Sequence, residues 1–235
     1  MDKNIKLVNL HQIKKLYRHS LSKEMLTTES QENSMNKYNK IVIGLDQSYK
    51  NTGISIAADD KLKKVSSIHL EKCDCNSDRR QKIRLKLESC LNSVIMQSGE
   101  VECIIERIRL RSNGFLNIDY IKSIGALNAT IVDVCKKYNV PVYSVDTRAW
   151  KAQIIGTSKP KSNNFGVPDE KWPTVEWCIR QGFKKSILMP IQTRKTKGTF
   201  MVNGQKYMYN NDASDSAGIA MYGFLGDRKL LQEER

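Results

Sequence analysis

Four carboxylates stand where an acid needs a reason to be. Asp46 closes the apolar run Ile41-Val-Ile-Gly-Leu-Asp46, and Glu106 lies near the end of a second run, Val101-Glu-Cys-Ile-Ile-Glu-Arg-Ile108. Asp212 and Asp215 open a stretch of small and apolar residues from Asn211 to Leu225. Desolvating an unpaired carboxylate costs several kcal/mol, so each of these acids requires a cation, a metal ion or hydrogen-bond donors. Taken singly, each has an ordinary explanation. An aspartate before a polar loop bonds the amides of its own turn, and acids at a helix N-terminus satisfy free amides and the helix dipole. Taken together, they form a cluster that repels itself at neutral pH unless divalent cations sit within it. Oxygen-only ligands suit Mg²⁺ or Mn²⁺. Two such ions about 4 Å apart activate a water and stabilise the leaving oxygen in phosphodiester hydrolysis.

The elements that must position these acids are legible in the pattern. Ile41 to Ala57 reads as a hairpin with Asp46 at its mouth, the second run resuming at Thr52. Lys64–Leu70 alternates as a third strand, and Ile83, Leu87, Leu91 and Val94 recur at helical spacing within Ser77–Met96. A fourth strand over Val101–Ile108, a helix over Ile118–Tyr138 and a strand over Val140–Val145 complete an α/β layout with helices covering a mixed sheet. Asp169–Gln181 reads as a helix with Pro173 near its start, and Thr199–Tyr209 as a hairpin turning at Asn203-Gly204. The last helix begins with the capping residues Asn211 and Asp212, which places Asp212 and Asp215 on one face of its first turn. If the first and fourth strands are neighbours, Asp46 and Glu106 face each other and this helix brings the other two acids.

Charge narrows the partners. The chain of 235 residues carries 39 Lys and Arg against 25 Asp and Glu, a formal charge of +14, which favours a polyanion such as nucleic acid. The basic stretch Arg194, Lys195 and Lys197 fits an arm over a phosphate backbone, the alternative being a solvated loop. No run reaches the length of a membrane span and no secretory signal is evident, so a soluble, intracellular, cytoplasmic protein is expected. In that setting the six cysteines are structural thiols rather than a disulfide framework, and Cys73-Asp-Cys75 lacks the partners of a zinc site. Residues 1–39 form a separate segment, in which Leu7, Leu10, Ile13 and Leu16 lie among Lys6, Lys14, Lys15 and Arg18 as a basic amphipathic helix followed by a polar linker. The folded domain is expected over 40–235.

Over about Lys40 to Leu225 the chain resembles the RuvC family of Holliday-junction resolvases, within the ribonuclease H-like superfamily. The likeness rests on Ile43-Gly-Leu-Asp46 with Thr52-Gly53, then Ile104-Ile-Glu106, the small-residue segment Gly125-Ala-Leu-Asn-Ala129, and Asp212-Ala-Ser-Asp215-Ser-Ala217, in that order. The resemblance implies a ribonuclease H-like mixed sheet with helices on both faces, and makes Asp46, Glu106, Asp212 and Asp215 metal-binding catalytic acids for two Mg²⁺ or Mn²⁺ ions. It also implies functional lysines at Lys151, in Arg148-Ala-Trp-Lys151, and at Lys171, in Asp169-Glu-Lys171. The implied activity is endonucleolytic cleavage of four-way and other branched DNA by a homodimer, leaving 5'-phosphate and 3'-hydroxyl ends. Arg109, Arg111, Phe115, Arg148, Arg194, Lys195 and Lys197 are then the candidate DNA contacts.

The chain also departs from the pattern. Arg109 stands where bacterial relatives place an aromatic residue three positions after the catalytic glutamate, with Phe115 and Tyr120 as nearby substitutes. The N-terminal segment and the basic hairpin are additions, which is more like the divergent members found in phages. Other readings are a different ribonuclease H-like nuclease, a non-catalytic junction-binding protein, and an actin-like or Hsp70-like ATPase built on the same strand, aspartate and threonine-glycine hairpin. The ATPase reading lacks its second glycine-rich phosphate motif.

Overall fold

The computed structural model describes residues 37–48, 50–70, 75–108, 118–156, 170–190, 199–202 and 205–234. The expected N-terminal helix, the candidate contacts Arg109, Arg111, Phe115, Arg194, Lys195 and Lys197, and the Asn203-Gly204 turn lie outside the described residues.

The chain opens with an antiparallel meander of β1 (Tyr38–Asp46), β2 (Asn51–Ala58) and β3 (Lys61–His69). Helix α1 (Asn76–Ile95) then crosses over to β4 (Ser98–Glu106), which pairs with β1 in parallel. Helix α2 (Ile118–Lys137) returns the chain to β5 (Val142–Val145), parallel to β4. A short helix α3 (Thr147–Trp150) runs on into a π-helical turn, Lys151–Ile155. Beyond it come α4 (Trp172–Cys178), a second π-helical turn (Ile179–Phe183) with Gly182 at φ 92°, and α5 (Lys184–Ile187). Three short strands, β6 (Leu188–Pro190), β7 (Thr199–Val202) and β8 (Gln205–Tyr209), form a small separate sheet in the order β6-β8-β7. Helix α6 (Asn211–Leu225) follows, and after a 3₁₀ turn the strand β9 (Gln232–Glu234) pairs antiparallel with β5. The main sheet is therefore ordered β3-β2-β1-β4-β5-β9. Among the described residues, no helix is long and apolar enough to cross a membrane.

Side-chain alternation along the central strands separates two layers. Ile41, Ile43 and Leu45 of β1, with Cys103 and Ile105 of β4, face α1 and α2 and form the larger core with Ile83, Leu87, Leu91, Ile124, Leu127 and Ile131. The opposite parity belongs to α6. Val42 and Ile104 pack with Trp150, Ile219 and Tyr222, while Ala57 packs with Ala220 and Met221. Helices thus cover both faces of the mixed sheet, as the family resemblance implies. The expected adjacency of the first and fourth strands is present, with Gly44 opposite Ile104 and Leu45 opposite Ile105.

Helix α6 is buried on every side from Ala213 to Gly223, which explains its small residues. Two glycines of the hairpin let it approach. A Cβ on Gly44 would lie 2.3 Å from the Ser216 carbonyl oxygen and the Ala220 nitrogen, and one on Gly53 would lie 1.8 Å from the Asp212 carbonyl oxygen. Ser55, between them on the same strand face, shares a 2.7 Å hydrogen bond with Ser216. The N-cap of α6 is Asn210, one residue earlier than the sequence suggests, its side chain accepting from the Ala213 N–H at 3.1 Å.

Another acid of β4 is structural. Glu102 is 3% exposed and accepts both guanidinium N–H groups of Arg228 at 2.9 Å, with Lys40 Nζ 3.0 Å away. This ties the turn before β9 to the centre of the sheet.

The close approach predicts that Gly44→Ala and Gly53→Ala each cost about 2 kcal/mol or more, since overpacking against backbone cannot be relieved by a rotamer change. Gly125→Ala, where an added Cβ meets nothing within 4 Å, should be neutral or stabilising by up to about 1 kcal/mol through helix propensity. Urea unfolding midpoints of the three variants check this contrast.

Candidate active site

The strand face that meets α6 carries the acids. Val42, Gly44 and Asp46 alternate along β1, and Glu102, Ile104 and Glu106 along β4. Asp46 and Glu106 therefore emerge side by side at the ends of two adjacent parallel strands. Asp46 lies opposite Gly53 in the β1–β2 pairing, and Gly53 is the residue on which the Asp212 backbone rests. The bare glycine surface is what sets Asp212 and Asp215 over the strand ends.

All four acids belong to one electrostatic neighbourhood. Burial pushes the Asp46 carboxyl well above the usual carboxylate range, and the charges of Asp215, Glu106 and Asp212 push it further, opposed by Lys171. Glu106 is raised chiefly by burial, an effect opposed by its hydrogen bond from Thr147, with Asp215 adding to it and Trp150 and Lys151 opposing. Asp212 is pushed up to about 6 by burial and by Asp215, against the pull of Lys171 and a hydrogen bond from Asn51. Asp215 is 4% exposed. Lys151 Nζ stands 3.9 Å from its Oδ1, and Lys171 Nζ stands 4.0 Å from its Oδ2, which also accepts from Asn211 Nδ2 at 3.0 Å.

The acids share this neighbourhood without forming a tight ligand set. Among the described residues, no three His, Cys, Asp or Glu side chains stand close enough to make a ready-made metal-binding group. The donor types nevertheless suit a divalent cation. Asp215 Oδ1 is a buried carboxylate oxygen without a hydrogen-bond partner, and the surrounding donors are hard oxygens. Such an oxygen gains most from a cation, because leaving it unmatched carries its full desolvation cost.

Several residues that sequence reasoning did not single out hold this arrangement. Thr147 Oγ1 donates to Glu106 Oε1 at 2.6 Å, and Trp150 Nε1 donates to Glu106 Oε2 at 3.2 Å. Gln47 bonds the Glu106 backbone at both ends, its Oε1 accepting the Glu106 N–H at 3.2 Å and its Nε2 donating to the Glu106 carbonyl. The available signal was the i, i+3 placement of Thr147 and Trp150 just ahead of Lys151. Of the candidate DNA contacts, Arg148 is described, and it is exposed on α3 beside this cluster. Tyr120, the other substitute weighed for the missing aromatic, is 53% exposed at the start of α2.

Sheet order and layer arrangement together define a ribonuclease H-like α/β fold. Within that class the chain has the RuvC fold. No protein-family profile and no curated protein matches the sequence, so the likeness is carried by structure. Thermus thermophilus RuvC superposes with a TM-score of 0.52 at 13% identity, covering 83% of this chain and 99% of that one. The same protein in complex with a Holliday junction substrate gives 0.56 at 13% identity over the same shares. Yeast mitochondrial Holliday junction resolvase Ydc2 gives 0.44 at 17% identity, covering 80% of this chain and 79% of that one.

The raised carboxyls have a measurable consequence. An acid whose pKa is higher folded than unfolded makes the folded state bind more protons, so its stabilising contribution is present at low pH and is lost as pH rises through the folded value. For Asp212 the window runs from its ordinary 3.8 to about 6. In EDTA the protein should therefore melt higher at pH 5 than at pH 7.5, and Asp212→Asn should reduce that difference. Millimolar Mn²⁺ should raise the melting temperature more at pH 7.5 than at pH 5. Differential scanning calorimetry of both proteins at the two pH values checks all three statements.

Proposed function

We propose that this protein is a divalent-metal-dependent endonuclease that cleaves branched DNA, four-way junctions above all. One observation carries the reading. Carboxylates from β1, β4 and α6 share one electrostatic neighbourhood at the end of a RuvC-type sheet, beside two lysines directed at Asp215. The complex of the Thermus protein with a Holliday junction supports the choice of substrate, as does the excess of basic residues.

In this reading Asp46, Glu106, Asp212 and Asp215 would hold two Mg²⁺ or Mn²⁺ ions, which would supply Lewis acidity toward the scissile phosphate and a lowered pKa for the attacking water. The chain itself contributes orientation and charge. Lys151 and Lys171, both turned toward Asp215, would donate to a phosphate oxygen and balance charge that develops in the transition state. Lys151 is held over the Trp150 ring at 5.2 Å, which restricts its reach. Arg148, together with Arg109, Arg111, Phe115, Arg194, Lys195 and Lys197, contacts the junction arms and centre. Cleavage leaves 5'-phosphate and 3'-hydroxyl ends. Paired nicks across a junction require two sites related by a two-fold axis, which a homodimer provides.

The test is incubation of the purified protein with four-way junction, flap and linear duplex DNA in Mg²⁺, Mn²⁺ or EDTA. Metal-dependent cutting that favours the junction is expected. Asp46→Asn should abolish cutting while leaving junction binding intact in gel-shift assays, and Lys151→Ala should slow single-turnover cleavage by about 10²- to 10³-fold, the loss typical of one transition-state charge donor. Metal-dependent nicking by Asp46→Asn at the wild-type rate overturns the assignment.

A further inference from the structure

Glu106 differs from the other three acids in how it is held. Asp46 has three like charges against Lys171, Asp212 accepts from Asn51 beside Asp215 and Lys171, and Asp215 has two lysines at the limit of ion-pair distance and a hydrogen bond from Asn211. Glu106 is fixed at both its backbone and its carboxylate. Parallel pairing of β1 with β4 ends at Leu45 and Ile105. Beyond that point the Gln47 side-chain amide clamps the Glu106 backbone, its Oε1 accepting the N–H at 3.2 Å and its Nε2 donating to the carbonyl. The carboxylate is met by two donors one helical turn apart, Thr147 Oγ1 on Oε1 at 2.6 Å and Trp150 Nε1 on Oε2 at 3.2 Å.

These donors are themselves fixed. The Asp146 side chain caps α3 by accepting the Arg148 N–H at 2.9 Å. Trp150 is fully buried, and its ring lies so close to α6 that a Cβ on Gly218 would come within 2.5 Å of it. Gly218 is three residues beyond Asp215, so the indole that bonds Glu106 also abuts the helix that carries Asp215. Each carboxylate oxygen has two lone-pair directions and spends one on its donor, which leaves the other for a cation.

We propose that Thr147 and Trp150 are positioning residues that, with Gln47, hold Glu106 as the rigid corner of the acid cluster and thereby set its affinity for divalent cations. This rests on the metal-dependent reading of the site. Donors behind a ligating carboxylate fix its orientation, and their loss typically costs about 10- to 100-fold in metal affinity. Because both donors lie on the short helix that runs directly into the π-helical turn opening with Lys151, one continuous stretch of chain sets the angle of Glu106 and the position of the neighbouring ammonium.

The experiment measures Mn²⁺ binding to the full-length protein without DNA, by calorimetry and by the paramagnetic resonance signal of free Mn²⁺. It compares wild type with Thr147→Val, Thr147→Ser and Trp150→Phe. Thr147→Val keeps the shape of the side chain and removes the donor, and it should weaken Mn²⁺ binding about 10- to 100-fold. Thr147→Ser restores the hydroxyl and should restore affinity. Trp150→Phe should weaken binding similarly, and its missing peak assigns the Trp150 indole N–H resonance, which Mn²⁺ should broaden and diamagnetic Mg²⁺ should shift in the wild-type protein. Junction binding in EDTA should be the same for wild type and all three variants.

Equal Mn²⁺ affinity for wild type and Thr147→Val overturns the positioning role while leaving the nuclease reading in place. Weakening by Thr147→Val that Thr147→Ser does not restore also overturns it, because the hydroxyl is then not the cause. A wild-type protein that binds no Mn²⁺ and cuts no branched DNA overturns the nuclease reading, and this inference with it. Should Trp150→Phe fail to fold, the Thr147 pair decides the matter alone.

Discussion

The arrangement depends on how closely one helix can lie on one hairpin. Gly44 and Gly53 present bare backbone to α6, and the helix settles so near that the Asp212 carbonyl occupies the space a Gly53 side chain would take. Cores are packed near crystalline density, so such a contact admits few alternatives. Because Gly53 is the cross-strand partner of Asp46, the packing contact and the placement of the acids are one geometric fact. The small residues of α6 serve the same end, since bulk at Ala213, Ser216, Ala217 or Ala220 would lift the helix and its two aspartates away from the strand ends.

Buried charge is handled in two ways on a single strand. Glu102 and Glu106 lie on the same face of β4, four residues apart. Glu102 is matched by Lys40 and by both arms of Arg228, a closed arrangement whose disruption would leave an uncompensated charge in the sheet. Glu106 is met by neutral donors, Thr147 and Trp150, and its neighbouring acids are like-charged. Its environment therefore orients the carboxylate without neutralising the cluster to which it belongs. The contrast separates an acid that fastens the fold from one left available for chemistry.

How much of this was legible follows from which signals have a period. Apolar runs and helical spacing located β1, β2, β4, α1, α2 and α6 to within a few residues, because burial imposes those periods on the residues themselves. Strands β6 and β9, each of three residues, are too short to show alternation, and β9 exists because β5 offers it an edge. The cap at Asn210 was missed by one position, since Asn210, Asn211 and Asp212 are all competent caps and only the backbone path chooses among them. Glu102 obeys the same burial argument as Glu106 and was passed over, because composition does not say whether an acid's partner is an arginine far along the chain. The hydrogen bonds from Gln47, Thr147 and Trp150 cross long stretches of sequence with no repeating pattern. Their positions at the ends of buried elements singled out the four acids as a set, whereas the two lysines came from the family resemblance alone.

The acids come to their shared corner from segments widely separated along the chain, with Asp46 at the end of β1 and Asp215 on a helix more than 160 residues later. Contacts of such long range carry a loop-closure cost that local contacts do not. A partly folded chain would hold Asp46 and Glu106 as two strand-end carboxylates without the helix that completes the group. Completion of the acid cluster is thereby tied to completion of the fold, because a chain in which α6 has not seated on Gly53 lacks Asp212 and Asp215 at the strand ends.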